Sequence, residues 1–409
     1  MTNYTVIDSL MGAGKTQYII QEMNADRNID KKYIYITPYL AEVERIIDNV
    51  KERPIKQPTQ RNSEGRKLRG LKTLVQSGYS IASTHSLLQT ADSELVELIK
   101  AGNYTLVIDE VINVVNDVNI SQKDINRLIA NGDITIDDDT KKIEWTGETD
   151  YDTRFSDIYL LCKAGTLYRN RDKTVVKIFS DEVLRAFDEV VVMTYLFEYS
   201  EMKAWYELNA VEYEKKSVIY NDDQQAYELI EYDVMREDRQ TIYDLITVHD
   251  GKYNEQLAHI NLSATALRNL PTQDSYLEDL DLIEKTIRNF LHANKLEGYS
   301  GYWTSLRDTM DRLSPKGYSK KSKISLNCRA TNEYSDGYAM AYIFERNINP
   351  MQQGFFIDRG ATLDSNGWAV SDLLQWIFRS RIRNGQDIQL FLPAKKMRTI
   401  LKQWSKYEL

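Results

Sequence analysis

Apolar positions along the chain fall into short runs separated by amphipathic stretches, the pattern of strands joined through helices. The first run, Val6-Ile7, stops at Asp8; a small-residue loop follows, and Gly14-Lys15-Thr16 opens a helix-like stretch that reaches Met23. Lys32–Thr37 reads as a second strand ending at Thr37-Pro38, with a helix from Ala41 to about Val50. A third strand, Tyr79–Thr84, leads into His85, and a fourth, Tyr104–Ile108, ends on Asp109-Glu110. Residues 113–180 break this rhythm. Asn131–Trp145 and Thr166–Ile178 are charged, rich in turns and alternate like hairpin strands, which makes this region an insertion with β character and no assigned function. The rhythm resumes in Phe187–Phe197, a buried strand that delivers Thr194 and Tyr195 to the same sheet edge as Asp109, either as plain core or as a link to a second ligand.

A second domain is expected from about Trp205, dividing the chain into 1–204 and 205–409. It begins with a short strand, Ser217–Tyr220. Ala226, Leu229, Ile230 and Val234 then recur at helical spacing, and His259–Ala266 reads as a strand entering a turn. Leu280, Leu282, Ile283, Ile287, Phe290 and Leu291 make one helix face. A strand, Ile324–Asn327, runs into the polar stretch Cys328–Asn332. From Asp372 a helix is expected in which Gln375, Arg379 and Arg383 share a face at i, i+4, i+8, ending at Asn384-Gly385 before the strand Ile388–Leu392. The fold class this spells is α/β, with parallel sheets flanked by helices.

Composition narrows the picture. At 409 residues the chain is long enough for two or three domains, and 42% hydrophobic with 28% charged residues describes a soluble globular protein. No run approaches the roughly 20 apolar residues that span a bilayer, and no secretory signal is expected in Met1–Tyr4. Two cysteines and four scattered histidines are too few for a disulfide framework or a zinc site, and suit a reducing cytoplasm. A net charge of −9 argues against coating nucleic acid by bulk charge, yet leaves room for a local basic track. Lys51–Lys72 holds eight Lys/Arg against two Glu, and reads either as a solvated loop or as a phosphate-backbone contact carrying Arg66, Lys67 and Arg69. Lys316–Lys323 is a second basic stretch.

The chemistry sits at strand ends. Strand, glycine-bearing loop and helix together form a P-loop, in which backbone N–H groups and the positive end of a helix cradle phosphates. Met11, Gly12, Ala13, Gly14, Lys15, Thr16 and Gln17 would line it, with Lys15 on the β- and γ-phosphates of ATP and the Thr16 hydroxyl on Mg²⁺. Ser9 stands where the full pattern asks for glycine. Asp109 would also hold Mg²⁺, and Glu110 would polarise the attacking water. The Gln375–Arg379–Arg383 face reads either as an arginine finger or as a salt-bridged structural helix.

Placed in order, these motifs resemble the superfamily 2 DEAD/DEAH-like helicases of bacteriophage and mobile-element replication, which are distantly similar to herpesvirus origin-binding helicases. Ser9–Thr16 corresponds to motif I, Asp109–Ile112 to motif II, Thr37-Pro38 to motif Ia, Ser83-Thr84-His85 to the DNA-contact motif after it, and Met193–Phe197 to motif III. Arg329–Asn332 resembles motif V and Gln375–Arg383 motif VI. The second motif VI arginine normally falls where Ile382 stands, which leaves Arg381 and Arg383 as rivals. The upstream adenine-reading motif has no counterpart in the handful of residues before the loop. The resemblance implies two RecA-like P-loop domains with ATP in the cleft between them. Single-stranded or forked DNA would cross them near Thr37, Pro38, Thr84, His85, Thr331 and Asn332, and other replication proteins would be partners. An ATP-dependent DNA helicase or translocase in a host bacterial cytoplasm is the leading expectation. The rivals are a terminase-like DNA-packaging ATPase and a non-motor ATP-dependent switch or loader.

Overall fold

The computed structural model describes residues 2–59, 67–149, 151, 153–171, 174–270, 277–326 and 333–409. By compactness the chain divides into two units. The first comprises Met1–Ser9, Ala13–Tyr232 and Asn349–Leu363, and the second Leu10–Gly12, Asp233–Ile348 and Asp364–Leu409.

The first unit is built on strands β1 (Asn3–Asp8), β2 (Lys32–Thr37), β3 (Ile55–Lys56), β4 (Ser80–Thr84) and β5 (Tyr104–Asp109). Its middle region adds β6 (Val115–Asp117), β7 (Ile134–Ile136), β8 (Ile143–Trp145), β9 (Leu167–Asn170) and β10 (Thr174–Ile178), after which come β11 (Glu189–Thr194), β12 (Glu214–Asn221) and β13 (Ala226–Glu231). The main sheet runs β13-β12-β1-β11-β5-β2-β4-β3. Every neighbouring pair in it is parallel except the hairpin β12–β13. Parallel strands carry helices on both faces, so their sequences are apolar on both sides; Val6, Ile7, Ile34, Ile36, Leu106–Ile108 and Val190–Met193 are accordingly buried. The helix Lys15–Asn24 buries Ile19, Ile20 and Met23, and Ser93–Gly102 buries Leu95, Val96 and Ile99 behind an Asp92 cap that accepts from Leu95 N–H.

The expected insertion at 113–180 is present, with both hairpins. β6-β10-β9 form an antiparallel sheet and β7-β8 a separate hairpin. Helices Gln122–Ala130 and Ser156–Lys163 complete it. Ile125, Leu128, Ile143, Ile158 and Val175 make a core of its own.

The second unit holds β14 (Ile246–Val248), β15 (Ser300–Thr304), β16 (Gly337–Tyr342) and β17 (Ile388–Phe391) in the order β14-β17-β16-β15, all parallel. The helix Leu277–Ala293 turns Ile283, Ile287, Phe290 and Leu291 inward. The α/β class with helix-flanked parallel sheets therefore holds.

Several expectations are corrected. The stretch around Ala226–Ile230 is not a helix but β13: Tyr227 and Leu229, two apart, turn together onto the core, and β12 supplies the backbone partner. Because β12 pairs with β1, the first unit runs to Tyr232 and not to residue 204, and it also takes in 349–363. His259–Ala266 is not a strand; Ser263 caps a short helix, Ala264–Arg268, by accepting from Ala266 N–H. Near Ile324 there is only an isolated bridge between Lys323 and Trp303, and Asn327 lies outside the described residues. The helix expected to carry Gln375, Arg379 and Arg383 is Ser365–Ile377 and stops at Ile377; Ser380 then caps a 3₁₀ turn, Arg381–Asn384.

Candidate nucleotide site

β1 delivers the loop that the sequence reading takes for a P-loop, and the loop's own backbone explains its glycines. Gly12 has φ +86° and Gly14 φ +99°, left-handed conformations that favour glycine. The helix then starts at Lys15 with no side chain capping it, so its first-turn N–H groups remain suited to an anion. Ser9, the departure from the expected glycine, is buried at 5% exposure. Its N–H donates to Thr194 O (3.1 Å), and its Oγ accepts from Val218 N–H (3.0 Å), so a hydroxyl there ties the loop to β11 and β12. Lys15 Nζ donates back across the loop to Ser9 O.

The acidic pair closes β5, one strand beyond β11. Asp109 Oδ2 accepts from Tyr35 OH (2.7 Å), and Asp109 O lies 2.9 Å from His85 Nε2. Burial raises the Asp109 carboxyl to about pKa 7, with the neighbouring Glu110 adding to the rise; the Tyr35 hydrogen bond and the Lys15 charge pull it down. Lys15 is thus among the charges that act on Asp109. Glu110 has φ +65°, a costly conformation for a residue with a side chain, and its N–H donates to Met193 O (2.9 Å). Its Oε2 is buried with no hydrogen-bond partner. A buried carboxylate oxygen without a donor is unfavourable by itself and fits a place where a water or cation belongs. Thr16 and Asp109, the residues to which the sequence reading gives Mg²⁺, carry hard oxygens of the kind that ion takes.

The sequence reading passes over Asp8. At 1% exposure it accepts from Leu196 N–H (2.8 Å) at Oδ1 and from Phe197 N–H (3.0 Å) at Oδ2, and pairs with Lys215 (3.1 Å). It thereby holds the turn at Leu196 (φ +57°), which shapes the Met193–Phe197 segment. The available signal is a carboxylate at the end of an apolar strand, where a charge is buried only if paired.

Thr37 and Thr84 are register partners at the ends of β2 and β4, and Ile36 pairs with Ile108, so Thr37, Thr84 and Asp109 lie on one sheet edge. Pro38 follows Thr37, half-buried, and the Thr37 Oγ1 is buried without a partner. His85 reaches the Asp109 backbone, so the DNA-contact candidate and the acidic pair touch. Lys67 and Arg69 are exposed on the helix Lys67–Gln76, not on a loop. Lys72 of the same basic stretch is held by Asp92 and Glu94, and Arg53 is buried against the carbonyls of Met23, Asn28 and Lys31. Arg66, Thr331 and Asn332 lie outside the described residues.

In the second unit, Gln375 sits buried in the last turn of its helix with Oε1 unpartnered, Arg379 is buried just past the helix end, and Arg383 is exposed. Arg381 is buried with the rings of Tyr299 (4.3 Å) and Tyr338 (5.1 Å) beside it and its Nη2 bonded to Asp387 (2.8 Å), while its Nε and Nη1 have no hydrogen-bond partner.

Residues 240–405 match the profile of the YonV C-terminal Rossmann-like domain, and residues 115–177 that of the YonV middle domain. The middle-domain match coincides with the insertion that has its own core. Over its whole length the chain is similar to the SPbeta prophage-derived uncharacterized protein YonV of Bacillus subtilis (strain 168), 32% identical over 423 residues and covering 99% of each. At that identity and coverage the chain belongs to the YonV family, with a prophage-derived member as its relative.

Proposed function

We propose that this chain is an ATP hydrolase that drives a DNA helicase or translocase in phage or mobile-element replication. The observation that carries the reading is the convergence of Lys15, Asp109 and an unpartnered Glu110 oxygen at the end of one parallel sheet. In this reading the loop backbone and Lys15 bind the phosphates, and Glu110 takes the proton of the attacking water. Thr16 and Asp109 would hold Mg²⁺, which supplies charge neutralisation at the phosphate oxygens. Thr37, Pro38, Thr84 and His85 line the strand-binding edge, with Lys67 and Arg69 adding charge. The prophage-derived relative supports a role in a bacterial cytoplasm on single-stranded or forked DNA. Among the described residues no helix is long and apolar enough to cross a membrane.

The test is ATP hydrolysis with and without single-stranded DNA, together with strand displacement on a forked duplex. Wild type should hydrolyse ATP faster with DNA, and Lys15→Ala should lose on the order of a hundredfold or more of that rate. Hydrolysis indifferent to every nucleic acid, without displacement, would favour the switch or loader; no hydrolysis at all would refute the reading.

A further inference from the structure

The hairpin β12–β13 reaches further than the sheet requires. β12 pairs with β1 over Glu214–Lys216, yet it continues to Asn221 after β1 has ended at Asp8. The overhang runs beside the P-loop, fastened by the Ser217 hydroxyl donating to Asp8 O (3.2 Å) and by the Val218–Ser9 bond. β13 returns against the helix Lys15–Asn24, where Tyr227 N–H donates to Gln21 Oε1 and Gln21 Nε2 donates to Tyr227 O, both 2.9 Å. The Tyr227 ring consequently lies on Gly14, so close that a methyl group there would stand 2.0 Å from its Cε1. Tyr220 meets Tyr227 edge to face with centroids 5.0 Å apart, and keeps 45% of its surface exposed. Tyr220 thus stands on the strand that runs past the loop, held by Tyr227 and by its hydroxyl on Gln225, with nearly half of its surface open.

The sheet order supplies a direction. Asp109 and Glu110 lie on one side of β1, beyond β11, while β12 and β13 lie on the other. A nucleotide whose γ-phosphate faces the carboxylates therefore leaves the loop with its nucleoside end toward the hairpin. Resting on the nucleotide site proposed above, we infer that the exposed ring of Tyr220, braced edge to face by Tyr227, is the stacking platform for the base of the bound nucleoside triphosphate. Two amide groups near the ring are engaged within the turn: Asn221 Oδ1 accepts from Asp223 N–H and Gln224 N–H, and Gln225 bonds both the Tyr220 hydroxyl and Asp222 O. Recognition is then by the face of the base rather than its edge, and every base has a face. The platform takes adenine and guanine alike.

Calorimetric titration of the full chain with Mg²⁺ and ATP, GTP or inorganic tripolyphosphate tests this. Tyr220→Ala should weaken ATP and GTP about tenfold or more, leave tripolyphosphate unchanged, and be rescued by Tyr220→Phe. Tyr220 is exposed, so its truncation spares the core that Tyr227 helps build. Wild type that binds ATP with Tyr220→Ala binding it equally tightly would overturn the platform and leave the nucleotide site standing. Wild type that binds neither ATP nor tripolyphosphate would overturn both.

Discussion

Glu110 combines two costs at one residue: a left-handed backbone and a buried carboxylate oxygen with no donor. Such costs persist where a site needs them. If Glu110 is the base, Glu110→Gln should keep ATP binding within about threefold while hydrolysis falls about 10²- to 10⁴-fold, as measured by equilibrium binding and steady-state turnover. Asp109 makes a different prediction. Its carboxyl titrates near 7 in the fold against about 3.9 unfolded. Between those values the folded chain holds a proton that the unfolded chain has released, so this group's contribution to stability falls as pH rises. In metal-free buffer with EDTA, Asp109→Asn should melt above wild type at pH 8, and the difference should shrink toward pH 5. Equal differences at both pH values would show that Asp109 titrates normally.

At the scale of elements, Asp8 shows how one carboxylate fixes the end of a neighbouring strand. Asp8→Ala leaves Leu196 N–H, Phe197 N–H and Lys215 without their acceptor, each buried donor costing about 1–3 kcal/mol. A urea titration should show a loss of about 3 kcal/mol or more; a loss under 1 kcal/mol would mean water replaces the carboxylate. Elements with local signals are legible in the sequence. The strand, glycine loop and helix around Gly14, the acidic strand end and the hairpins of the insertion stand out because apolar runs and turn residues are properties of neighbours in the chain. What stays hidden depends on distant partners. Ala226–Ile230 matches a helical period, but β12 offers open backbone groups and the core takes Tyr227 and Leu229. A continuous arginine helix would run through Phe378–Ser380, where Ser380 caps a new turn instead. The helix Gln122–Ala130 does carry a local signal, Ser121 three residues before Asp124, but the stronger alternation of the hairpins around it masks it.

For the whole molecule, the division between units follows the hairpin and not the boundary expected near Trp205. A fragment ending at 204 removes β12 and leaves one edge of β1 without its neighbour, the edge from which Lys215, Ser217 and Val218 serve Asp8 and Ser9. Uncovered strand edges associate, so fragment 1–204 should aggregate where 1–232 stays monodisperse in light scattering. The segment 349–363 adds a second requirement. Its helix, Pro350–Ile357, is joined to the first unit by Arg171 bidentate to Asp358 (2.7 Å each), by Asn170 Nδ2 to Met351 O (3.1 Å) and by Gln352 Nε2 to Val115 O (3.1 Å). The ion pair is exposed and contributes little. Burial of Phe355 and Phe356, at about 1.5–3 kcal/mol each, stabilises the attachment more. Fragment 1–232 carrying 349–363 on a flexible linker should therefore melt several degrees above 1–232 alone, and Phe356→Ala within the linked segment should remove most of that gain while Arg171→Ala removes little. A monodisperse, cooperatively melting 1–204 fragment would instead return the boundary to Trp205.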